Sequence, residues 1–282
     1  MPEMPEVENI VQGIRPFIET KKITDIEIIK DDVIKYPSAG QYIKRIKDNR
    51  IKAVKRRGKY IILELENNIC AVIHLRMTGK LLYTLQNQAI DKYACVIFRL
   101  EDGNKLVYAD VRRLGTLDAV TKQELPRLKG LYCLGAEPLS ADFTVGYLQR
   151  VVHDSKAKIK SFLLNQKNIA GLGNIYVDEA LFLSKINPVR TAGSLNEEEI
   201  KALHKAVNQV ISAGIEDGGT TFRDYRNGLG GKGAHQEHLY VYSRKGELCR
   251  RCGTPIEKTV VGGRGTYYCP YCQQLNSEEG KR

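Results

Sequence analysis

Two groups of residues in this chain have types and spacings suited to chemistry. Toward the C-terminus, Cys249-x2-Cys252-x16-Cys269-x2-Cys272 falls inside the spacing template of a tetrahedral zinc site. Each pair of thiolates two residues apart can grip one ion, and the loop between the pairs is long enough for a hairpin that returns the second pair to the first. With all four positions filled by protein, one Zn2+ is expected, structural rather than catalytic. The second group is at the start, Met1-Pro2-Glu3. Methionine before a small residue such as proline is normally removed, which leaves Pro2 as a free secondary amine. An α-amino group titrates near about 8, well below lysine, so a substantial free-base fraction exists near neutrality. Such an amine can attack a carbonyl-like carbon and form a Schiff base. Proline at position two is common, however, and taken alone carries no function.

Basic residues are the next signal. Lys and Arg number 44 against 33 Asp and Glu, a net charge of +11, which favours a polyanionic partner such as nucleic acid. They concentrate in the stretch 44–59, where Lys44, Arg45, Lys47, Arg50, Lys52, Lys55, Arg56, Arg57 and Lys59 meet a single acid, Asp48. Phosphates would supply the missing counter-charge; a solvated face is the plainer alternative. Arg264 sits among Gly262, Gly263 and Gly265, where backbone can approach a phosphate or where a turn arginine simply meets water. The run Asn168 to Tyr176 reads as a tight glycine connector with Asn174 as N-cap of the next helix, an end that favours anions. By itself it is only a helix-turn-helix connection.

These residues must be positioned by elements that the apolar pattern predicts. Val7, Ile10, Val11, Ile14, Phe17 and Ile18 form a helical stripe, with Pro5 in its first turn and Pro16 expected to kink or end it. Strand-like runs follow at Ile23 to Ile29, Ile51 to Lys55, Tyr60 to Leu65, Ala71 to Leu75, Tyr93 to Leu100 and Lys105 to Ala109. Helical periodicity then takes over at Val145 to Val152, Lys158 to Asn165, Tyr176 to Leu183 and Glu197 to Ile211, the last with Ser194 and Glu197 as a capping box. Leu131 to Ser140 reads as a linker, and Gly218 to Gly233 as a glycine-rich basic loop. An α+β protein is expected, with an N-terminal helix and antiparallel β-sandwich over 1–134, a helical domain over 135–245 and a four-cysteine zinc-finger hairpin over 246–282. Composition is that of a globular protein, 42% hydrophobic and 27% charged, which sets aside disordered and fibrous classes. No run of about eighteen apolar residues is present, so neither a membrane nor a secretory signal is expected.

Taken together, Pro2-Glu3-Met4-Pro5-Glu6-Val7-Glu8, Arg57-Gly58-Lys59-Tyr60, His74-Leu75-Arg76-Met77-Thr78-Gly79, Asp110-Val111-Arg112-Arg113, Ala170 to Glu179 and the four cysteines resemble the bacterial formamidopyrimidine-DNA glycosylases of the helix-two-turns-helix superfamily. The resemblance implies a helix-two-turns-helix in the helical domain and a monomer in the bacterial cytoplasm, at the nucleoid, acting on damaged double-stranded DNA. It also implies that Pro2 attacks C1′ of the damaged nucleotide, Glu3 acts as acid and base, Lys59 assists at the lesion-side phosphate, and β,δ-elimination cuts the strand. Lys160, Asn174, Tyr176 and Arg264 would hold phosphates, with His74 nearby on the DNA face. Met77 and Arg112 would fill the hole left by the flipped nucleotide, and Leu114 would stand at the wedge against the base opposite the lesion.

Three residues depart from the family pattern. Leu114 stands where the family usually places Phe, Thr78 where some relatives have an acid, and His235 where Phe is common in the lesion-covering loop, Thr220 to His238, which keeps Thr221, Arg223 and Tyr225. The implied substrates are oxidised or ring-opened purines. An endonuclease VIII-like preference for oxidised pyrimidines and a non-catalytic binder of damaged DNA are the alternatives.

Overall fold

The computed structural model describes residues 1–275; the last seven residues of the expected zinc-finger range lie outside them. Helix α1 (Met4–Ile18) leads into strand β1 (Ile23–Ile28), a short strand β2 (Ile34–Tyr36), helix α2 (Ala39–Ile46), and then β3 (Ile51–Arg57), β4 (Tyr60–Leu65), β5 (Ile69–His74), β6 (Gly79–Thr84), β7 (Ala94–Leu100), β8 (Lys105–Asp110) and β9 (Thr116–Thr121). A four-stranded sheet has the order β1-β7-β8-β6 and a five-stranded sheet the order β2-β9-β5-β4-β3. Pairing is antiparallel except for β2 beside β9. Val7, Ile10, Val11 and Ile14 of α1 share one core with Ile61, Ile73 and Leu117 of one sheet and Val96, Phe98 and Leu106 of the other, as a sandwich requires.

The remaining elements are helix α3 (Lys129–Tyr132), α4 (Val145–Val152), α5 (Ile159–Leu164), α6 (Asn174–Leu183), α7 (Glu197–Glu216) and the hairpin β10 (Glu257–Val261) with β11 (Arg264–Tyr268). Contacts divide the chain into two compact units: Met1–Cys133 with Gly214–Gln236, and Leu134–Ala213 with the chain from Glu237 onward. One unit thus runs to Cys133, and 214–236 groups with the sandwich rather than the helices. Tyr225 explains why, because its ring is buried in the core of the first unit.

Four local expectations change. Pro16 is accommodated inside α1, which continues to Ile18. The capping box of α7 is formed by Asn196 and Glu199, whose side chains and backbone N–H groups exchange bonds of 2.9 Å, and not by Ser194 and Glu197. Gly173, not Asn174, is the N-cap of α6. Strands β2, β6 and β9 and helices α2 and α3 are not among the expected elements. In β9 the half-polar run Thr116-Leu117-Asp118-Ala119-Val120-Thr121 hides a central strand, and in α2 only Tyr42 and Ile46 are buried on a short basic helix.

Candidate active site and zinc centre

In the first unit, the chain start is built around a buried glutamate. Pro2 and Glu3 are both buried, and Glu3 is the N-cap of α1. Three residues on, at capping-box spacing, Glu6 is 2% exposed; its Oε2 accepts the Glu3 N–H at 2.8 Å and its Oε1 the Thr220 N–H at 2.7 Å. The carboxylate thus fixes the turn that presents Pro2 and also ties down the glycine-rich segment. Gly219, at φ +86°, has no room for a side chain, since a Cβ would lie 3.1 Å from Cγ of Glu6 and from the Tyr225 ring.

Helix α1 also reaches the turn that carries Lys59. Strands β3 and β4 are joined through Gly58 and Lys59, with Gly58 at φ +57°, the left-handed conformation that a tight hairpin of this kind requires. Arg56 bonds Glu8 of α1 at 2.6 Å and the Gly58 carbonyl at 3.1 Å, so the helix holds the turn. Lys59 is 5% exposed.

Beyond this turn, two six-residue loops share a design. His74 to Gly79 and Asp110 to Gly115 each leave a strand, pass through an arginine in the left-handed region (Arg76 at φ 52°, Arg113 at φ 51°), expose an apolar side chain (Met77, Leu114), and end on a glycine. A Cβ on Gly79 would lie 2.4 Å from the Leu75 carbonyl oxygen, and one on Gly115 1.8 Å from the Tyr108 hydroxyl. Asp110, 2% exposed, joins the loops. Its Oδ1 accepts from the Thr78 hydroxyl at 2.5 Å and the Arg112 N–H at 3.1 Å, and its Oδ2 from the Tyr108 hydroxyl at 3.1 Å and the Gly115 N–H at 2.9 Å. Thr78 therefore has a structural job where some relatives carry an acid. Arg112, Met77 and Leu114 are exposed.

His74 is buried and packs edge-on against Tyr60, with ring centroids 4.5 Å apart. Its Nδ1 accepts the Arg76 N–H at 3.1 Å, which places the proton of the neutral ring on Nε2. Burial, with Arg76 and Lys59 nearby, pushes its pKa down to about 3, so it acts as a neutral donor and carries no charge.

The basic stretch 44–59 is mostly neutralised inside the protein. Arg45 pairs with Glu124, Lys47 with Asp25, Arg50 with Glu101, Lys55 with Glu64 and Arg56 with Glu8. The counter-charge lies elsewhere in the sequence, which is why the stretch alone suggested phosphate.

The second unit holds the zinc centre. The four Sγ atoms of Cys249, Cys252, Cys269 and Cys272 lie within 4.8 Å of one another, with Cys249 and Cys272 4.0 Å apart and Cys252 and Cys269 3.5 Å apart. Tetrahedral zinc with Zn–S bonds of about 2.3 Å requires edges of about 3.8 Å, so the donor set fits the ion. Zinc there supplies cross-linking of the hairpin and, with four thiolates, no open position for catalysis. The cysteines pack with Phe182 of α6, Val241 and Ile256. Glu179, 2% exposed, accepts the N–H groups of Tyr240, Val241 and Tyr242 at 2.7–2.9 Å and so fixes the chain entering the module.

Between β10 and β11, Gly262 and Gly263 have φ of +57° and +74°, and Arg264 follows, exposed. Lys160, expected to reach a phosphate, is instead wholly buried. Its Nζ donates to Asp178 Oδ1 at 2.7 Å and to the Gly265 carbonyl at 2.9 Å. Asn174 Nδ2 donates to the same carbonyl at 2.9 Å, and Asp178 Oδ2 accepts the Tyr267 N–H at 2.9 Å. Burial pushes the Asp178 carboxyl up, while Lys160 and the Tyr267 N–H pull it back. Lys160 and Asn174 therefore set the residue next to Arg264. The Tyr176 side chain is also fully buried, so its first-turn place at the positive end of α6 is what it offers an anion. Sequence reading gave no role to Asp178 and Glu179. The available signal was α6 itself, apolar on nearly every face, in which any acid must be buried and needs partners.

A helix-led antiparallel sandwich, a helical region with a glycine connector and a four-cysteine hairpin define a class of DNA glycosylases that carry a zinc finger. Comparison with known proteins agrees. The chain matches family models for the formamidopyrimidine-DNA glycosylase N-terminal domain over residues 1–117, the formamidopyrimidine-DNA glycosylase H2TH domain over 134–226, and the zinc finger found in FPG and IleRS over 246–275. It is 44% identical to the formamidopyrimidine-DNA glycosylase of Desulforamulus reducens, covering 97% of this chain and 99% of that one, and 44% identical to that of Bacillus cereus with the same coverage. Its fold superposes with a TM-score of 0.90 on Lactococcus lactis Fpg in complex with abasic-site DNA, at 36% identity over 97% of this chain and 100% of that one. MutM in complex with DNA containing carbocyclic 8-oxo-G superposes equally, also with a TM-score of 0.90 at 36% identity and the same coverage. The chain belongs to the formamidopyrimidine-DNA glycosylase family, and it is a DNA glycosylase with one structural zinc.

Proposed function

We propose that this glycosylase excises oxidised or ring-opened purines, such as 8-oxoguanine and formamidopyrimidines, from double-stranded DNA and then cuts the abasic strand. Pro2, freed by removal of Met1, is the nucleophile. Its nitrogen attacks C1′, the base departs, and an imine links enzyme to sugar. Glu3 supplies the proton that opens the sugar ring, and successive eliminations release the phosphates on both sides. The observation that carries this reading is the placement of Pro2 and Glu3, both buried at the positive end of α1 with Glu6 fixing the turn. The helix dipole disfavours protonation of the amine there. Lys59 assists at the lesion-side phosphate, Met77 and Arg112 fill the emptied place in the duplex, Leu114 wedges against the base opposite the lesion, and His74 donates Nε2–H on the DNA face. Arg264, with the first turn of α6 at Asn174 and Tyr176, holds phosphates. Lys160 positions Arg264 through Gly265 rather than touching DNA.

Borohydride trapping on duplexes carrying 8-oxoguanine or an abasic site tests this directly. A stable adduct that maps to Pro2, from protein whose intact mass shows Met1 removed, is the expected result. Binding without an adduct from that same material would overturn the covalent mechanism, and cutting of oxidised pyrimidines alone would overturn the substrate assignment.

A further inference from the structure

Between Gly218 and Gly233 the chain has no regular secondary structure, yet it is fastened at both ends to the first unit. One fastening is Glu6 to Thr220. The other is a turn at residues 227–231. There the Asn227 side-chain carbonyl accepts the N–H groups of Leu229 at 3.1 Å and Gly231 at 2.8 Å, and the Asn227 N–H donates to the Gly231 carbonyl at 2.9 Å. This self-bonded turn sets Gly228 against two elements at once. The Gly228 carbonyl accepts the Tyr83 N–H at 2.8 Å, from β6, the open edge of the four-stranded sheet. A carbonyl there satisfies a donor that an edge strand otherwise leaves to water or to another chain. On its other side, Gly228 lies against α1 so closely that a Cβ would come within 2.3 Å of Ile14 Cγ2 and 2.9 Å of the Ile10 carbonyl oxygen. The backbone at 228 is not strained; what demands glycine is the lack of space.

We propose that the 227–231 turn is a clasp on which base excision depends, with Asn227 and Gly228 holding the covering span in place. Seated on β6 and α1, it holds the span Thr221 to Arg226 in one conformation over the same helix whose N-terminus carries Pro2 and Glu3. Within that span Tyr225 is anchored in the core, its hydroxyl donating to the Gly218 carbonyl at 3.0 Å, while Phe222 and Arg223 are exposed. The inference rests on the reading of this segment as the part that covers the damaged base. Gly228 and Asn227 are positioning residues and touch no substrate. Excision of a base needs the covering span in place, whereas an abasic site offers no base to cover, so the two reactions separate the clasp from the catalytic groups.

The test is Gly228→Ala, which wedges the turn off α1, alongside Asn227→Ala, which loosens it without a clash. Trypsin reports on the clasp, because Arg223, Arg226 and Lys232 lie within the segment and are cut faster once its backbone is released. Both variants should be cleaved there faster than the unaltered chain. Excision of 8-oxoguanine should fall on the order of tenfold or more, the scale of a displaced positioning group, with cutting of an abasic-site duplex unchanged. Unaltered trypsin resistance with unaltered excision in both variants would overturn the proposal. So would opening of the segment without loss of excision, or an equal loss on both duplexes, which marks general damage to the fold. Failure of the unaltered protein to cut the abasic duplex would instead sink the lyase reading of the site.

Discussion

The two units differ in one support: the second holds Asp178 with a buried cation, although its Glu179 is held by backbone N–H groups, as Glu6 is in the first. In the second unit, Asp178 is compensated by the charge of Lys160, both wholly buried, and the nearby hairpin is cross-linked through four thiolates. In the first unit, Glu6 accepts backbone N–H groups, and Asp110 accepts two backbone N–H groups and two hydroxyls. Charge and metal give an all-or-none support, because removing one partner strands the other in a medium of low polarity. Dipoles distribute the load over several bonds, each worth about 1 kcal/mol. The supports differ in what they hold: the ion pair fixes the backbone beside Arg264, while the acids of the first unit fix the chain start and two exposed loops.

Breaking the metal cross-link has the largest expected effect. Structural zinc contributes roughly 10–16 kcal/mol in finger peptides, more than a hairpin of this size can replace. Cys269→Ser should therefore lose the ion, measured as zinc per chain, and with it most DNA affinity. Undiminished affinity in a zinc-free variant would separate the hairpin from the DNA surface. The ion pair comes next. Lys160→Met leaves Asp178 buried without its cation and should cost about 3–5 kcal/mol in urea denaturation, much of it recovered by Lys160→Met with Asp178→Leu. Asp110→Asn, which keeps the shape but replaces one acceptor oxygen by a donor, should cost only about 1–3 kcal/mol. Equal costs for Lys160→Met and Asp110→Asn would erase the distinction between the units.

How much of this was legible in the sequence follows the same division. The cysteine spacing specified the zinc site because ligand geometry is local, within each pair and across one hairpin. The apolar period of α1 and most strands of the sandwich were likewise readable, since each buries a face of its own. What the sequence hid was set by residues far apart. The partners of Arg45, Arg50 and Arg56 lie in other elements, so the basic stretch 44–59 resembled a phosphate track. Only the resemblance points Lys160 to a phosphate, and its partner Asp178, eighteen residues on, sits in a helix whose burial becomes plain only with the fold. Glu6 enters the sequence reading only within the motif at the chain start; its capping box with Glu3 and its bond to Thr220, which joins segments more than two hundred residues apart, emerge only with the fold.

The smallest expected effect is a pH dependence confined to the first unit. His74 has its pKa pushed down to about 3 from an ordinary 6.5. As pH falls below about 6.5, the unfolded chain takes up a proton at this position that the folded chain refuses until about 3, so stability is lost through that window. Asp118, in β9, works against it. Burial raises its pKa from 3.8 to about 6, so between those values the folded chain binds a proton that the unfolded chain does not, and stability is gained as pH falls. The two nearly oppose between pH 6 and 4, which leaves a modest net slope. His74→Gln removes only the loss and should flatten or reverse the fall in urea midpoint between pH 7 and pH 4.5, while Asp118→Asn removes only the gain and should steepen it. Identical slopes in the two variants and the unaltered protein would show that the acid sensitivity of the fold comes from elsewhere, and would leave His74 as a packing residue with no electrostatic cost for its burial beside Arg76 and Lys59.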